Sequence, residues 1–138
     1  MQKINILTNS FEDTMKLGID FSKNLKAGDI VGLIGDLAAG KTTFVKGVLE
    51  GLGYNYTVSS PTFTLINNYE ASLDVMHVDF YREPNINRWV ELGFRELIYS
   101  SGLVLIEWAD LIPGLIPSEA MMIKFEHINE NERKIYTL

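Results

Sequence analysis

The sequence predicts a three-layer α/β domain whose central sheet is mixed, mainly parallel, with an antiparallel portion. Three observations predict it. The apolar runs "DIVGLIG" and "GLVLIEW" are short and unbroken, as strands covered on both faces are. Helix-like segments fall between the strand-like ones, the alternation of an α/β fold. After Pro113 and Pro117, "AMMIKFEHI" and "RKIYTL" are two strand-like runs joined by the polar "NENE", which predicts antiparallel pairing at the end.

The elements follow in order. "KINILT" is a short first strand. Ser10, with Asp13 three residues on, starts a helix by a box-like cap. Phe11, Met15, Leu17, Phe21 and Leu25 carry it at helical spacing to Lys26, and Gly28 closes it. The strand "DIVGLIG" comes next, then a helix over Thr42 to Leu52 stopped by Gly53. "SSPTFTLINNYE" and "LDVMHVDFYRE" are rich in β-branched and aromatic residues, with a polar break at Glu70–Ser72, and predict a hairpin. Asn85 to Ser100 reads as two short helices interrupted by Gly93, and "GLVLIEW" as a buried parallel strand.

Length and composition narrow the function. One domain over residues 1–138 is expected, since single cores most often form at about 100–150 residues. There are no cysteines, so disulfides, thiolate metal sites and cysteine nucleophiles are excluded. The first twelve residues lack a basic start and a long apolar stretch, and no run approaches the ~20 apolar residues of a membrane span. A cytoplasmic protein is expected. The net charge of −6 speaks against a broad nucleic-acid footprint of its own.

Between the first apolar run and the second helix stands "GDLAAGKTT", which completes the pattern G-x-x-x-x-G-K-[ST] with Gly35, Gly40, Lys41 and Thr42. Glycines let backbone N–H groups turn inward without a Cβ in the way, so Gly35, Asp36, Leu37, Ala38, Ala39 and Gly40 make a phosphate cradle. The helix that follows aims its unpaired amides, through Thr43, at the same anion. Lys41 reaches the β- and γ-phosphates, and the Thr42 hydroxyl is a ligand for Mg²⁺. The bland alternative, a glycine-bearing turn with an incidental lysine, leaves the strand before and the helix after unexplained.

Two strand-ending acids supply the metal side. Glu107 follows "LVLI" and Asp79 follows "DVMHV", at the strand ends where open α/β sheets gather ligands. Spacing alone leaves open which acid faces the metal and which orients water. Ser59, Ser60, Pro61 and Thr62 form a hydroxyl-rich loop that either switches with the γ-phosphate or is an ordinary Ser/Pro turn. His77, inside an apolar strand, reads as a core histidine bonded to a neighbour. Phe63, Phe80, Tyr81, Trp89 and Phe94 read as core or partner-facing surface rather than base-stacking platforms.

Four blocks in order, the cradle, Ser60 to Leu65 ("SPTFTL"), His77 to Arg82 ("HVDFYR") and Leu105 to Trp108 ("LIEW"), make the chain resemble the TsaE family from about Thr8 to Ile128. The resemblance implies a P-loop NTPase fold, ATP with Mg²⁺, and weak hydrolysis. It also implies work with TsaB and TsaD in making threonylcarbamoyladenosine at position 37 of tRNA, which this chain would meet only through the complex. Carried over, Thr42 and Glu107 resemble the Mg²⁺ ligands, Asp79 the aspartate that serves hydrolysis, and Thr62 the switch threonine. Lys41 keeps its phosphate role, and Trp108 matches a tryptophan near the nucleotide and the partner surface. Ser10 and Arg133 match, more loosely, the two chain ends that flank the base. One departure stands out: Ala38 replaces the usual third cradle glycine, at a cost if that position needs φ > 0.

Overall fold

Strand β2 (Ile30–Ile34) lies at the centre of a seven-stranded sheet of order β1-β7-β6-β2-β5-β4-β3. The computed structural model describes residues 3–58, 64–99 and 102–138, and the statements below concern those residues. Strand β2 pairs in parallel with β5 (Leu103–Glu107) on one side and β6 (Met121–His127) on the other, and β4 (Asp74–Asp79) runs parallel to β5. The antiparallel pairings lie outside this centre. β3 (Ile66–Glu70) forms a hairpin with β4; β7 (Arg133–Thr137) pairs with β6 and with β1 (Asn5–Thr8). The expected mixed sheet is present, with a parallel centre and antiparallel flanks.

Period-two alternation divides the core. Val31, Leu33, Leu103, Leu105, Ile123 and Phe125 pack under α1 (Phe11–Ser22) and α2 (Lys41–Gly51). Ile30, Met76, Val78, Val104 and Ile106 face the other way, against Trp89 of α3 (Ile86–Glu91) and Phe94 of α4 (Phe94–Leu97). The central strands are covered on both faces, which is why their sequences read as unbroken apolar runs. The same alternation puts His77, Asp79 and Glu107 on the α1/α2 side, because they keep step with Val75 and Leu105.

Helix α1 meets α2 backbone to backbone at Gly18 and Gly47. A Cβ on Gly18 would stand 2.9 Å from the Val48 nitrogen and 3.0 Å from the Gly47 Cα. This close crossing brings the start of α1 alongside the loop that precedes α2.

Some boundaries differ from the sequence reading. Helix α1 ends at Ser22, a turn before Lys26. The N–H groups of Lys23 and Leu25 donate to the carbonyls of Asp20 and Ser22, a tightened i→i−3 pattern. Asp29 then accepts the Lys26 N–H at 2.9 Å and draws the chain into a turn. Strand β4 stops at Asp79, short of "FYRE", because Asp79 Oδ1 accepts the Tyr81 N–H at 2.8 Å and bends the chain. Residues 59–61, the switch candidate Thr62 and Phe63 lie outside the described residues. The interruption at Gly93 is as read: it takes φ +77° between the two short helices.

Candidate functional site

Ser10 and Gly40 each precede a helix, and they do so in opposite ways. Helix α1 satisfies its own start: Ser10 Oγ accepts the Asp13 N–H at 3.0 Å, Asp13 accepts the Asn9 N–H at 3.0 Å, and Glu12 and Asp13 supply negative charge. Helix α2 begins after Gly40 at φ +104°, with no side-chain cap and no acid in its first turn. The N–H groups of Lys41, Thr42 and Thr43 have no intrahelical acceptor. An uncapped amide cluster with the positive end of the helix dipole behind it is a receptor for an anion.

The loop before α2 is bent tightly over β6. Gly35 takes φ +154°, and a Cβ there would stand 2.5 Å from the Phe125 carbonyl oxygen, so only glycine fits. Ala38 takes φ +62°, in the left-handed region, so the departure noted in the sequence falls where a methyl group is strained. Lys41 Nζ donates to the carbonyls of Gly35 and, at 2.8 Å, Asp36, so the ammonium lies across the loop it follows. Its charge also sits 4.2 Å from the centre of the Trp108 ring. Burial pulls the Lys41 pKa below its ordinary value, while Glu107, Asp79, Asp110 and Asp36 pull it back up.

Across the loop stand the strand-end acids. Asp79 and Glu107 are register partners on β4 and β5, and both are buried. Thr42 Oγ1 donates to Glu107 Oε1 at 3.0 Å and lies 3.2 Å from Oε2. Glu107 is thus the acid beside Thr42. Neighbouring ligands of an octahedral Mg²⁺ at ~2.1 Å sit about 3 Å apart, so this pair fits two adjacent corners. Among the described residues no three His, Cys, Asp or Glu side chains form a metal cage. Asp79 accepts the Tyr81 N–H through Oδ1 alone. Burial raises its pKa, so it holds a proton more readily than a surface aspartate.

These groups line one cleft of about 540 Å³, and Ser10, Leu37, Ala38, Gly40, Lys41, Thr42, Thr43, Asp79, Glu107 and Arg133 all border it. Arg133 closes one end: its Nε donates to the Ala38 carbonyl at 3.2 Å and its Nη1 to the Asn129 carbonyl at 2.8 Å. The two chain ends that sequence matching linked only loosely to the site therefore both reach it. Gly35 and Asp36 contribute carbonyls to Lys41 rather than lining. Ala39 is buried in the core, and its N–H donates to the Asp36 carbonyl at 3.2 Å. Of the cradle residues, Ala39 serves the loop's own shape.

The sequence reading missed several walls of the cleft. Phe11, counted in the apolar stripe of α1, is 56% exposed and borders the cleft. As the first helical residue it lies at the open end of the helix, beyond the reach of the core. Tyr81 also borders the cleft, its ring 4.8 Å from that of Trp108, whereas Phe80, Trp89 and Phe94 are fully buried as read. Glu130 and Asn131 of the "NENE" turn form part of the rim. The sequence carried no sign of this, because only the pairing of β6, β7 and β1 carries that turn to the cradle.

Residues 8–135 match the family model described as threonylcarbamoyl adenosine biosynthesis protein TsaE. The chain belongs to the TsaE family. Among TsaE proteins, it is 38% identical over 136 residues to the tRNA threonylcarbamoyladenosine biosynthesis protein TsaE of Bacillus subtilis, covering 98% of this chain and 85% of that one. It is 35% identical over 129 residues to the TsaE of Treponema pallidum, covering 94% and 96% of the two chains. The crystal structure of Bacillus subtilis YdiB superposes with a TM-score of 0.84 at 35% identity, covering 99% of this chain and 84% of that one. The match to the TsaE model spans both the cradle and Arg133, so the whole cleft lies within the shared region. Among the described residues of this TsaE chain no helix is long and apolar enough to cross a membrane.

Proposed function

We propose that this chain is a Mg²⁺-dependent ATP-binding and ATP-hydrolysing subunit of the bacterial machinery that makes N6-threonylcarbamoyladenosine at position 37 of tRNA. Its partners are TsaB-like and TsaD-like proteins. The carrying observation is the juxtaposition of an uncapped helix start, Lys41 and two buried strand-end acids in one cleft. The α2 amides and Lys41 bind and orient the phosphates; Thr42 and Glu107 hold the metal. When bound, Mg²⁺ neutralises charge on the β- and γ-phosphate oxygens. Asp79, through the oxygen not used by Tyr81, orients the water that attacks the γ-phosphorus and accepts its proton as the bond to ADP breaks. Ser10 and Arg133 flank the base end of the cleft, and Thr62 is the switch residue.

A second reading, in which ATP occupancy rather than turnover assembles the partners, draws support from the strained Ala38 in the cradle. The two separate in one experiment. Phosphate release is measured with TsaB- and TsaD-like proteins added, for the parent, Asp79→Asn and Glu107→Ala. Loss of release in both variants is expected, and parental rates in both would remove these acids from hydrolysis. Calorimetry tests the binding step itself. Lys41→Ala should weaken ATP·Mg²⁺ binding by about 10- to 100-fold, the equivalent of one charge-assisted bond. Unchanged affinity would count against the cradle.

A further inference from the structure

His77 is fully buried in β4, and the cleft described above does not include it. Its Nε2 lies 2.6 Å from Glu107 Oε2, a short bond between two buried groups. Its other ring nitrogen, Nδ1, is buried and has no hydrogen-bond partner among the described residues. That asymmetry selects one tautomer. A proton on Nδ1 would be an unsatisfied buried donor, and two lone pairs would then face each other between Nε2 and the carboxylate. A proton on Nε2 gives Glu107 a donor and leaves Nδ1 as a bare acceptor.

The consequence falls on Glu107. Its Oε2 receives the His77 N–H, while its Oε1 is the oxygen nearer Thr42. The carboxylate of a glutamate ends a three-torsion side chain and can take several orientations; anchored at one oxygen, it presents the other. We infer that His77 is a positioning residue that fixes the Glu107 carboxylate so that Oε1, together with Thr42 Oγ1, is presented to Mg²⁺. This rests on the metal-dependent nucleotide binding proposed above. Partners of this kind behind a metal ligand are worth about 10- to 100-fold in metal affinity.

The test separates metal from phosphate. ATP affinity is measured by calorimetry with saturating Mg²⁺ and with EDTA, for the parent, His77→Leu and His77→Gln. Glutamine places an amide N–H near the Nε2 position. The expected result is unchanged affinity in EDTA, a roughly 10- to 100-fold loss of the Mg²⁺ enhancement in His77→Leu, and recovery of most of it in His77→Gln. An intact enhancement in His77→Leu, or an equal fall with and without metal, would overturn the inference. No nucleotide binding by the parent would overturn the proposed function, and the inference with it. Should His77→Leu fail to fold, nitrogen-15 NMR of the parent decides. With two histidines in the chain, His77 and His127, the signals are readily assigned. A proton on Nε2 that shifts on adding Mg²⁺ with ADP supports the assignment, and a proton on Nδ1 or an unmoved signal refutes it.

Discussion

Ala38 holds a φ of +62° in a loop whose neighbours Gly35 and Gly40 also have positive φ. An L-residue in that region costs about 1–2 kcal/mol, while a glycine there adds about 0.4–1 kcal/mol of unfolded-chain entropy. The strain is the larger effect. Ala38→Gly should therefore raise the unfolding free energy by about 0.5–1 kcal/mol, as urea melts would read it. Asp79 makes a second residue-scale prediction. Burial lifts its carboxyl above the ordinary 3.8, with the Tyr81 amide opposing, Glu107 assisting, and His77 and Lys41 opposing. The folded chain thus keeps this proton to higher pH than the unfolded chain does. Its contribution is full below 3.8 and is lost as the pH climbs through the raised value. Asp79→Asn keeps an acceptor for Tyr81 and does not titrate. The stability gap between parent and variant should move in the variant's favour as pH rises over that window. A gap that stays flat in pH-dependent urea melts would refute it.

Helices α1 and α2 show how a small residue decides the placement of a site. Replacing a helical glycine by alanine ordinarily gains about 1 kcal/mol of helix propensity. At Gly47 the new methyl group would stand 3.0 Å from the Gly18 Cα and press on the Met15 carbonyl, which are backbone atoms that cannot rotate away. Overpacking of this kind costs about 1–3 kcal/mol or more, and here the helices themselves must part. Gly47→Ala should lower stability by about 2 kcal/mol net in a urea titration. The elements themselves were mostly legible, since caps, glycine stops and apolar runs act locally. Their ends were less so. Strand β4 stops where Asp79 bends the chain, and α1 stops at Ser22, where the Lys23 and Leu25 amides turn to i−3 carbonyls. Those are choices among backbone partners, and residue spacing does not register them.

The whole chain carries a net charge of −6. Phosphate-backbone binding draws its affinity from counterion release by clustered Lys and Arg, which this balance opposes. The isolated protein should not retain tRNA on a filter at ~0.15 M salt, and tight, salt-sensitive retention would contradict the proposed division of labour. Much of the candidate site was readable at this scale too. The loop from Gly35 to Thr42 is contiguous, so its glycines, lysine and threonine stand in one short string. Asp79 and Glu107 were found because each ends an apolar run.

What the sequence determined by itself is whatever acts within a few residues: the cradle, the caps and the buried strands that end in an acid. Only the tertiary structure decided that Glu107 rather than Asp79 meets Thr42 and that a buried histidine grips the far oxygen. It also decided that Arg133, 95 positions from Ala38, closes the cradle. Those pairings depend on strand order and register. Both are set by how the whole core packs, and no single stretch of chain carries that information.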